Sequence, residues 1–301
     1  MDKEAMYLTS YRIESHFYKG QFDFLRGFHT AETYYNLEDV FNNRFGMVLQ
    51  DLSKNVDGQP HGFTFEDSKR ILKSLAEFHA YNFHKKQQMI IGWKFAGYWT
   101  GNKREATKHT VDDSWEKVLN NFPEMNQLKE KYPDLGVKLK EKLTYLEQEF
   151  YDLSSKYKTL CHGDFKISNL FVKQPSVNNP DGKVYVIDFQ WFGFGNGLID
   201  SVYFLYTSLH SEYLQQIPEL LDYYHKQLTD FGMDYPYREF LHHADVVIAD
   251  FGIYTICSKW ANMTATDFKQ YELKVKDGLH LRSFPHMELI IQKTHSAIAS
   301  F

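Results

Sequence analysis

Cysteine is scarce: the 301-residue chain has only Cys161 and Cys257, with no CxxC spacing between them. That excludes a disulfide framework and a cysteine-built zinc centre, and it suits a reducing cytoplasm, where the protein is expected to reside. No apolar run approaches the length of a membrane span. The opening "MDKEAMYLTSYRIESHFYKG" is charged throughout and lacks the apolar stretch of a signal peptide. Positive charge is not in excess either. A net charge of -5 and a pI near 6.3 argue against nucleic acid or an anionic membrane as the main partner. There are no repeats and no low-complexity linkers, and no protein partner is indicated. The first glycine is Gly20, so nothing before it can form a glycine-rich loop.

What remains is ordinary globular material, 43% hydrophobic and 24% charged, with enough aromatics (17%) for a ring-rich core or pocket. Leu8, Tyr11, Phe17 and Tyr18 recur at roughly helical spacing, which predicts a helix from about Asp2 to Tyr18. "FGMVLQDL" (45–52) reads as a buried strand running into a turn. "TFEDSKRILKSLAEFHAYNFHKK" reads as a helix with Thr64 and Asp67 as a capping box and Ile71, Leu72, Leu75, Phe78 and Phe83 as its apolar stripe. A second long helix is expected over about 136–157. Three short strands follow, in "TLCH", "LFVK" and "KVYVIDF", the last two separated by the turn-rich "QPSVNNPDG". Beyond Leu198 the chain reads as helical, over about 198–210, 212–231, 237–262, 265–278 and 286–299. The boundary between a small mixed part (1–50) and a large helical part (51–301) falls near residue 51.

The chemistry concentrates in "LCHGDFKISNLFVK" (160–173) and "VIDF" (186–189). Asp164 and Asn169 lie in a loop between two strands, and Asp188 ends the next strand, so a hairpin would bring all three to one end. Two carboxylates and an amide oxygen are hard ligands that suit Mg²⁺, best when substrate phosphates complete the shell. Asn169 and Asp188 would hold metal against a nucleotide, and Asp164 would accept the proton of an attacking hydroxyl. A single Asp or Asn in a loop usually serves turn hydrogen bonds. The ordered set, with Asp200 opening the following apolar helix, goes beyond that.

This run resembles the kinase-like fold of the aminoglycoside phosphotransferase and choline kinase group. Within it, "HGD…N…VIDFQ…G…D" is most similar to the CHK kinase-like (ecdysteroid kinase-like) family, with Gln190 favouring that family over choline kinases. The resemblance spans about Glu14 to beyond Trp260. It implies an α/β (α+β) protein-kinase-like two-lobed fold, with a reduced N-lobe and a large, mainly helical C-lobe. It also implies ATP and Mg²⁺ as cofactors. By position, Asp164 is the catalytic base, with His162 supporting its loop and Asp200 pinning that loop by hydrogen bonds to its backbone. Asn169 and Asp188 are the metal ligands, Glu14 stands on the family's N-lobe helix, and Gln50, Asp51 and Leu52 form the connector that binds adenine.

Protein kinases carry an arginine where this chain has Gly163, and a long peptide platform after the metal aspartate. Here only "FQWFGFGNGLI" separates Asp188 from Asp200, too short to seat an extended peptide, so the expected substrate is a small hydroxylated molecule. A choline- or ethanolamine-like amino alcohol is the alternative acceptor. Against catalysis, no glycine-rich strand pair and no strand lysine precede Glu14. The expectation is therefore either a truncated kinase or a lobe genuinely lost, and with the loss a pseudokinase role. Trp191, Phe192, Phe194 and Trp260 read as core before pocket, and His79, His84, His242 and His243 as core or surface before metal ligands. "ADFG" (249–252) lies inside a helical pattern and imitates a kinase signature by accident.

Overall fold

The computed structural model describes residues 3–20, 25–39, 41–84, 95–101, 104–177, 182–272 and 280–301. Helix α1 (Lys3–Lys19) comes first, then an antiparallel hairpin of β1 (Thr33–Asp39) and β2 (Arg44–Leu49). Ser15 Oγ donates to Asn36 Oδ1 at 2.8 Å, and His16 and Lys19 both reach Glu38, so polar contacts fix α1 against β1. β2 lies where a strand was expected, but it is not the buried strand anticipated: its residues alternate between exposed and half-buried. β1 is illegible because "TYYNLED" mixes in Asn, Glu and Asp, which strands disfavour.

Helix α2 (Phe65–His84) starts on the anticipated capping box. The Asp67 N–H donates to Thr64 Oγ1 at 3.2 Å, and the Thr64 hydroxyl donates back to Asp67 Oδ2 at 2.8 Å. Lys85 and Lys86, expected in this helix, lie outside the described residues, as does the Asp2 start of α1. Three helices have no counterpart among the expected elements: α3 (Glu105–Lys108), α4 (Val111–Asn121) and α5 (Asn126–Lys131). In α4, Val111, Trp115 and Val118 are buried, an amphipathic stripe. Helix α6 (Leu135–Lys156) is the long one expected at 136–157.

Two small antiparallel sheets carry the central segment. Strand β3 (Lys158–Cys161) pairs with β6 (Gly193–Asn196), and between them in sequence β4 (Leu170–Lys173) pairs with β5 (Lys183–Val186). His29 joins the second sheet, its N–H on Val184 O at 2.9 Å and its carbonyl taking the Val186 N–H at 2.8 Å. β6 was not expected: "GFGN" has no strand signature and is held by its partner β3. Part of the loop between β4 and β5 (178–181) is outside the described residues.

The rest is helical, in α7 (Leu198–Ser208), α8 (Ile217–Asp230), α9 (Tyr237–Ser258), α10 (Ala265–Glu272) and α11 (Phe284–Ala299). A 3-10 turn over Ser211–Gln216 delays α8, and another over Trp260–Asn262 ends α9 early. The expected helix to 278 is seen to Glu272, the remainder lying outside the described residues. By length and composition Tyr237–Asn262 could cross a membrane, which corrects the view that no run comes close. Yet 83% of its apolar window is buried inside the fold, as in the core helix of a soluble protein. Helices α6 and α11 flank α9. A Cβ on Gly252 would stand 2.1 Å from Thr294 Oγ1, so α11 approaches α9 where the side chain is missing. One large apolar cluster spans most of the chain, and a small separate one gathers Ala31, Leu52 and Tyr185.

Candidate active site

The loop joining β3 to β4 is bound on all sides. Asp200, fully buried in the first turn of α7, accepts the His162 N–H at 2.7 Å and the Gly163 N–H at 2.8 Å, one on each carboxylate oxygen. His79 of α2 stands 3.2 Å from the same carboxylate through Nε2 and 2.6 Å from the Tyr224 hydroxyl through Nδ1. His79, Cys161 and Asp200 form a buried cluster of metal-ligating types. Each is engaged by protein groups, Cys161 Sγ with Asn196 O at 3.3 Å, and the cluster anchors the loop. Gly163 has φ +82°, and a Cβ there would fall 2.1 Å from Trp191 O and 2.5 Å from Gly97 N. No other residue fits at that point.

His162 faces the other way. The Asp164 N–H donates to its Nδ1 at 3.2 Å, so Nε2 carries the proton and donates to Ile187 O at 3.0 Å. One imidazole thus ties the loop to the residue before Asp188, which lies two positions beyond the end of β5 at Val186 and does not end that strand as expected. Asn169 turns its amide nitrogen to Asp164, donating to its carbonyl at 2.9 Å and to Oδ2 at 3.2 Å. Its Oδ1 is left to accept only a long contact from Ser168 Oγ at 3.4 Å. Lys166 Nζ also reaches Asp164 Oδ2, at 2.7 Å, while Oδ1 is buried without a hydrogen-bond partner among the described residues. Burial pushes the Asp164 carboxyl up, the Lys166 ammonium pulls it back, and the nearby Asp188 charge adds to the rise. Asp188 has φ +67°, a left-handed backbone uncommon outside glycine and best tolerated by Asp and Asn.

Glu14, Gln50, Asp51, Leu52 and Asp188 line one cavity of about 560 Å³. Ser53 and Gln190 line it as well, and Ala31, Leu49, Phe171 and Ile187 give it an apolar wall that sequence reasoning did not find. They sit on four separate elements with no shared motif. The Asp51 carboxylate caps the turn after β2, accepting from Ser53 N at 2.9 Å and Ser53 Oγ at 3.0 Å. Gln50 N–H is taken by Glu32 O at 2.8 Å. Phe189, next to Asp188, is stacked on Phe17 of α1 with ring centroids 3.6 Å apart, and its N–H is near enough to Glu14 to favour the carboxylate.

Burial, then the Asp188 charge, pushes Glu14 up from 4.5 to about 7, with the Phe189 N–H opposing. An acid raised in the fold binds its proton more tightly there than in the unfolded chain. Metal-free protein should therefore lose stability as pH rises from about 4.5 towards about 7. Melting temperatures in EDTA across that window should fall in the wild type and fall less in Glu14→Gln. Equal slopes would remove Glu14 from the account.

On the other side of Asp164 stands a group that the sequence did not announce. The segment 95–101 is held to α9 by Arg104, which donates through Nε to Trp99 O and pairs with Asp250 Oδ1 at 2.6 Å. This sets Tyr98 against Trp191, with centroids 5.4 Å apart. The Tyr98 and Tyr203 hydroxyls are 2.7 Å apart, and the Tyr254 hydroxyl donates to Tyr98 at 3.2 Å. Burial and the Asp164 charge push all three phenols up. Phe192, Phe194 and Trp260 are buried in the core, as expected, while Trp191 is half-buried at this face. His242 meets Glu149 and His243 meets the Tyr235 hydroxyl, the side chain of His84 lies outside the described residues, and "ADFG" is inside α9.

The ecdysteroid kinase-like family model matches residues 17–235. No curated protein matches the chain. Among solved structures, the gentamicin complex of APH(2'')-IIa is 12% identical with a TM-score of 0.41, over 100% of this chain and 83% of that one. The ADP-bound aminoglycoside phosphotransferase APH(2'')-Ib is 14% identical with a TM-score of 0.42, over 94% of this chain and 84% of that one.

Proposed function

The chain belongs to the ecdysteroid kinase-like family, with a two-lobed kinase-like fold, and from that premise we propose that it transfers the γ-phosphoryl group of ATP to a hydroxyl of a small molecule. One observation carries the reading. Asp164, whose buried Oδ1 makes no close hydrogen bond among the described residues, stands near Asp188, which lines a cavity of nucleotide size. Adenine would lie in the slot of Ala31, Leu49, Phe171 and Ile187, against the Gln50 carbonyl and the Leu52 amide. Asn169 Oδ1 and the Asp188 carboxylate are hard oxygen donors that fit Mg²⁺, which when bound neutralises phosphate charge.

Asp164 Oδ1 would take the proton of the acceptor hydroxyl as its oxygen bonds to the γ-phosphorus. The bond from that phosphorus to the bridging oxygen breaks, ADP leaves, and the phosphate monoester carries the transferred group. Lys166 would hold the ionised Asp164 in place and lie close to the group in transfer. The cytoplasm, which the two buried thiols suit, is the proposed compartment.

Saturating Mg-ATP tests the proposal. At a hundred times Kd it should stabilise the wild type by about 2.7 kcal/mol, a rise of roughly 5 °C in melting temperature. Asp188→Ala should lose that rise, and EDTA should abolish it in the wild type. No rise in the wild type would sink the kinase reading. A second reading, a pseudokinase that binds small molecules without using ATP, draws support from Glu14. No cation is paired with its carboxylate among the described residues.

A further inference from the structure

Lys259, at the C-terminal end of α9, is a half-buried ammonium that makes no hydrogen bond and no ion pair among the described residues. It lies over the Tyr254 ring, 5.6 Å from the centroid, and so against the tyrosine cluster that faces Asp164. Two more cations converge there. Lys166 projects from the loop of Asp164. Arg282 is held nearby because the indole of Trp260, the residue after Lys259, donates to the Leu281 carbonyl at 2.7 Å. Lys166 and Arg282 are close enough to press the Lys259 ammonium below its usual range, on top of burial, and Asp164 is the carboxylate that opposes them.

The other acids in the neighbourhood, among the described residues, are committed. Asp164 is matched by Lys166, and Asp250 by Arg104. Asp267, which Arg282 influences, caps α10 through the Thr264 N–H at 2.7 Å and hydroxyl at 2.9 Å. Lys259 is therefore the unmatched charge, and a half-buried ammonium without an acceptor is a costly thing to keep unless something meets it.

We infer that the acceptor of this enzyme carries an anionic group, such as a carboxylate or sulfate, which binds Lys259 and Arg282 while its body lies on Trp191 and Tyr98 and its hydroxyl faces Asp164. The inference rests on the kinase reading for the role of that hydroxyl, but the charge preference belongs to the face itself. It also sets the site against amino alcohols: a choline-like cation would meet like charge here, and like charges in a partly buried site are strongly disfavoured.

The test uses three alcohols of one shape and different charge: 4-(hydroxymethyl)benzoate, 4-(hydroxymethyl)benzamide and 4-(aminomethyl)benzyl alcohol. Binding to the full chain is measured by calorimetry without nucleotide. The benzoate should bind at least about tenfold more tightly than the amine, a step of about 1.4 kcal/mol. Lys259→Met, which keeps the apolar stem, should bring the three within about threefold of one another, and Lys259→Glu should reverse their order. Arg282→Gln should weaken the benzoate alone. The inference is overturned by a wild type that prefers the amine or binds none of the three at millimolar concentration. A preference for the benzoate that survives both Lys259 substitutions in folded protein overturns it as well. Because no nucleotide is present, charge sorting without a Mg-ATP response would defeat the kinase reading and leave this one standing, and the converse result would do the opposite.

Discussion

Asp164→Asn should lower phosphoryl transfer by roughly 10²–10⁴-fold while leaving the Mg-ATP melting shift in place. The substitution keeps the shape of the side chain and an oxygen for Lys166, whose Nζ is 2.7 Å from Oδ2 in the wild type. What it removes is the capacity of Oδ1 to take a proton, and that oxygen has no other hydrogen-bond partner among the described residues. ADP release reads the loss, with an alcohol from the panel above or with water as acceptor. Retention of full turnover would show that Asp164 is not the base. Loss of the melting shift together with turnover would instead point to a damaged site.

The second large effect is on stability. Asp200→Ala should destabilise the protein by about 2–6 kcal/mol, read from urea unfolding with an unchanged m-value. The estimate counts two buried N–H donors, His162 and Gly163, left without an acceptor at about 1–3 kcal/mol each. His79 loses its partner too. Asp200→Asn should cost less, because one oxygen can still accept while the amide NH₂ confronts the second N–H. Near-wild-type stability of the alanine variant would mean that the loop is held by strand pairing alone.

The two halves of the site were legible to different degrees, for a physical reason. His162, Gly163, Asp164, Asn169 and Asp188 are close in sequence because one loop and one hairpin place them, so local spacing carries their geometry. The Thr64–Asp67 cap and strand β2 are local in the same sense. The acceptor face is not. Tyr98, Trp191, Tyr203, Arg282 and the pair Tyr254 and Lys259 at the end of α9 come from segments far apart in sequence. They meet through ring packing, hydrogen bonds among the three tyrosine hydroxyls and the Trp260–Leu281 hydrogen bond. No spacing in the chain encodes them. Strand β6 failed for a related reason: its two glycines leave no alternating pattern, and Gly193 is kept small by the close backbone of Phe95 and Ala96. Helix α4 was within reach, since its stripe of Val111, Trp115 and Val118 is an ordinary amphipathic signal.

The imidazole of His162 has a mechanical consequence. Accepting from the backbone of Asp164 and donating to the carbonyl beside Asp188, it works as a strut between two supports that belong to different sheets. Two hydrogen bonds on one rigid ring therefore tie the backbone of Asp164 to the residue before Asp188. For the proposed transfer, this ring would fix the base relative to the metal ligand without help from the hairpin of β1 and β2.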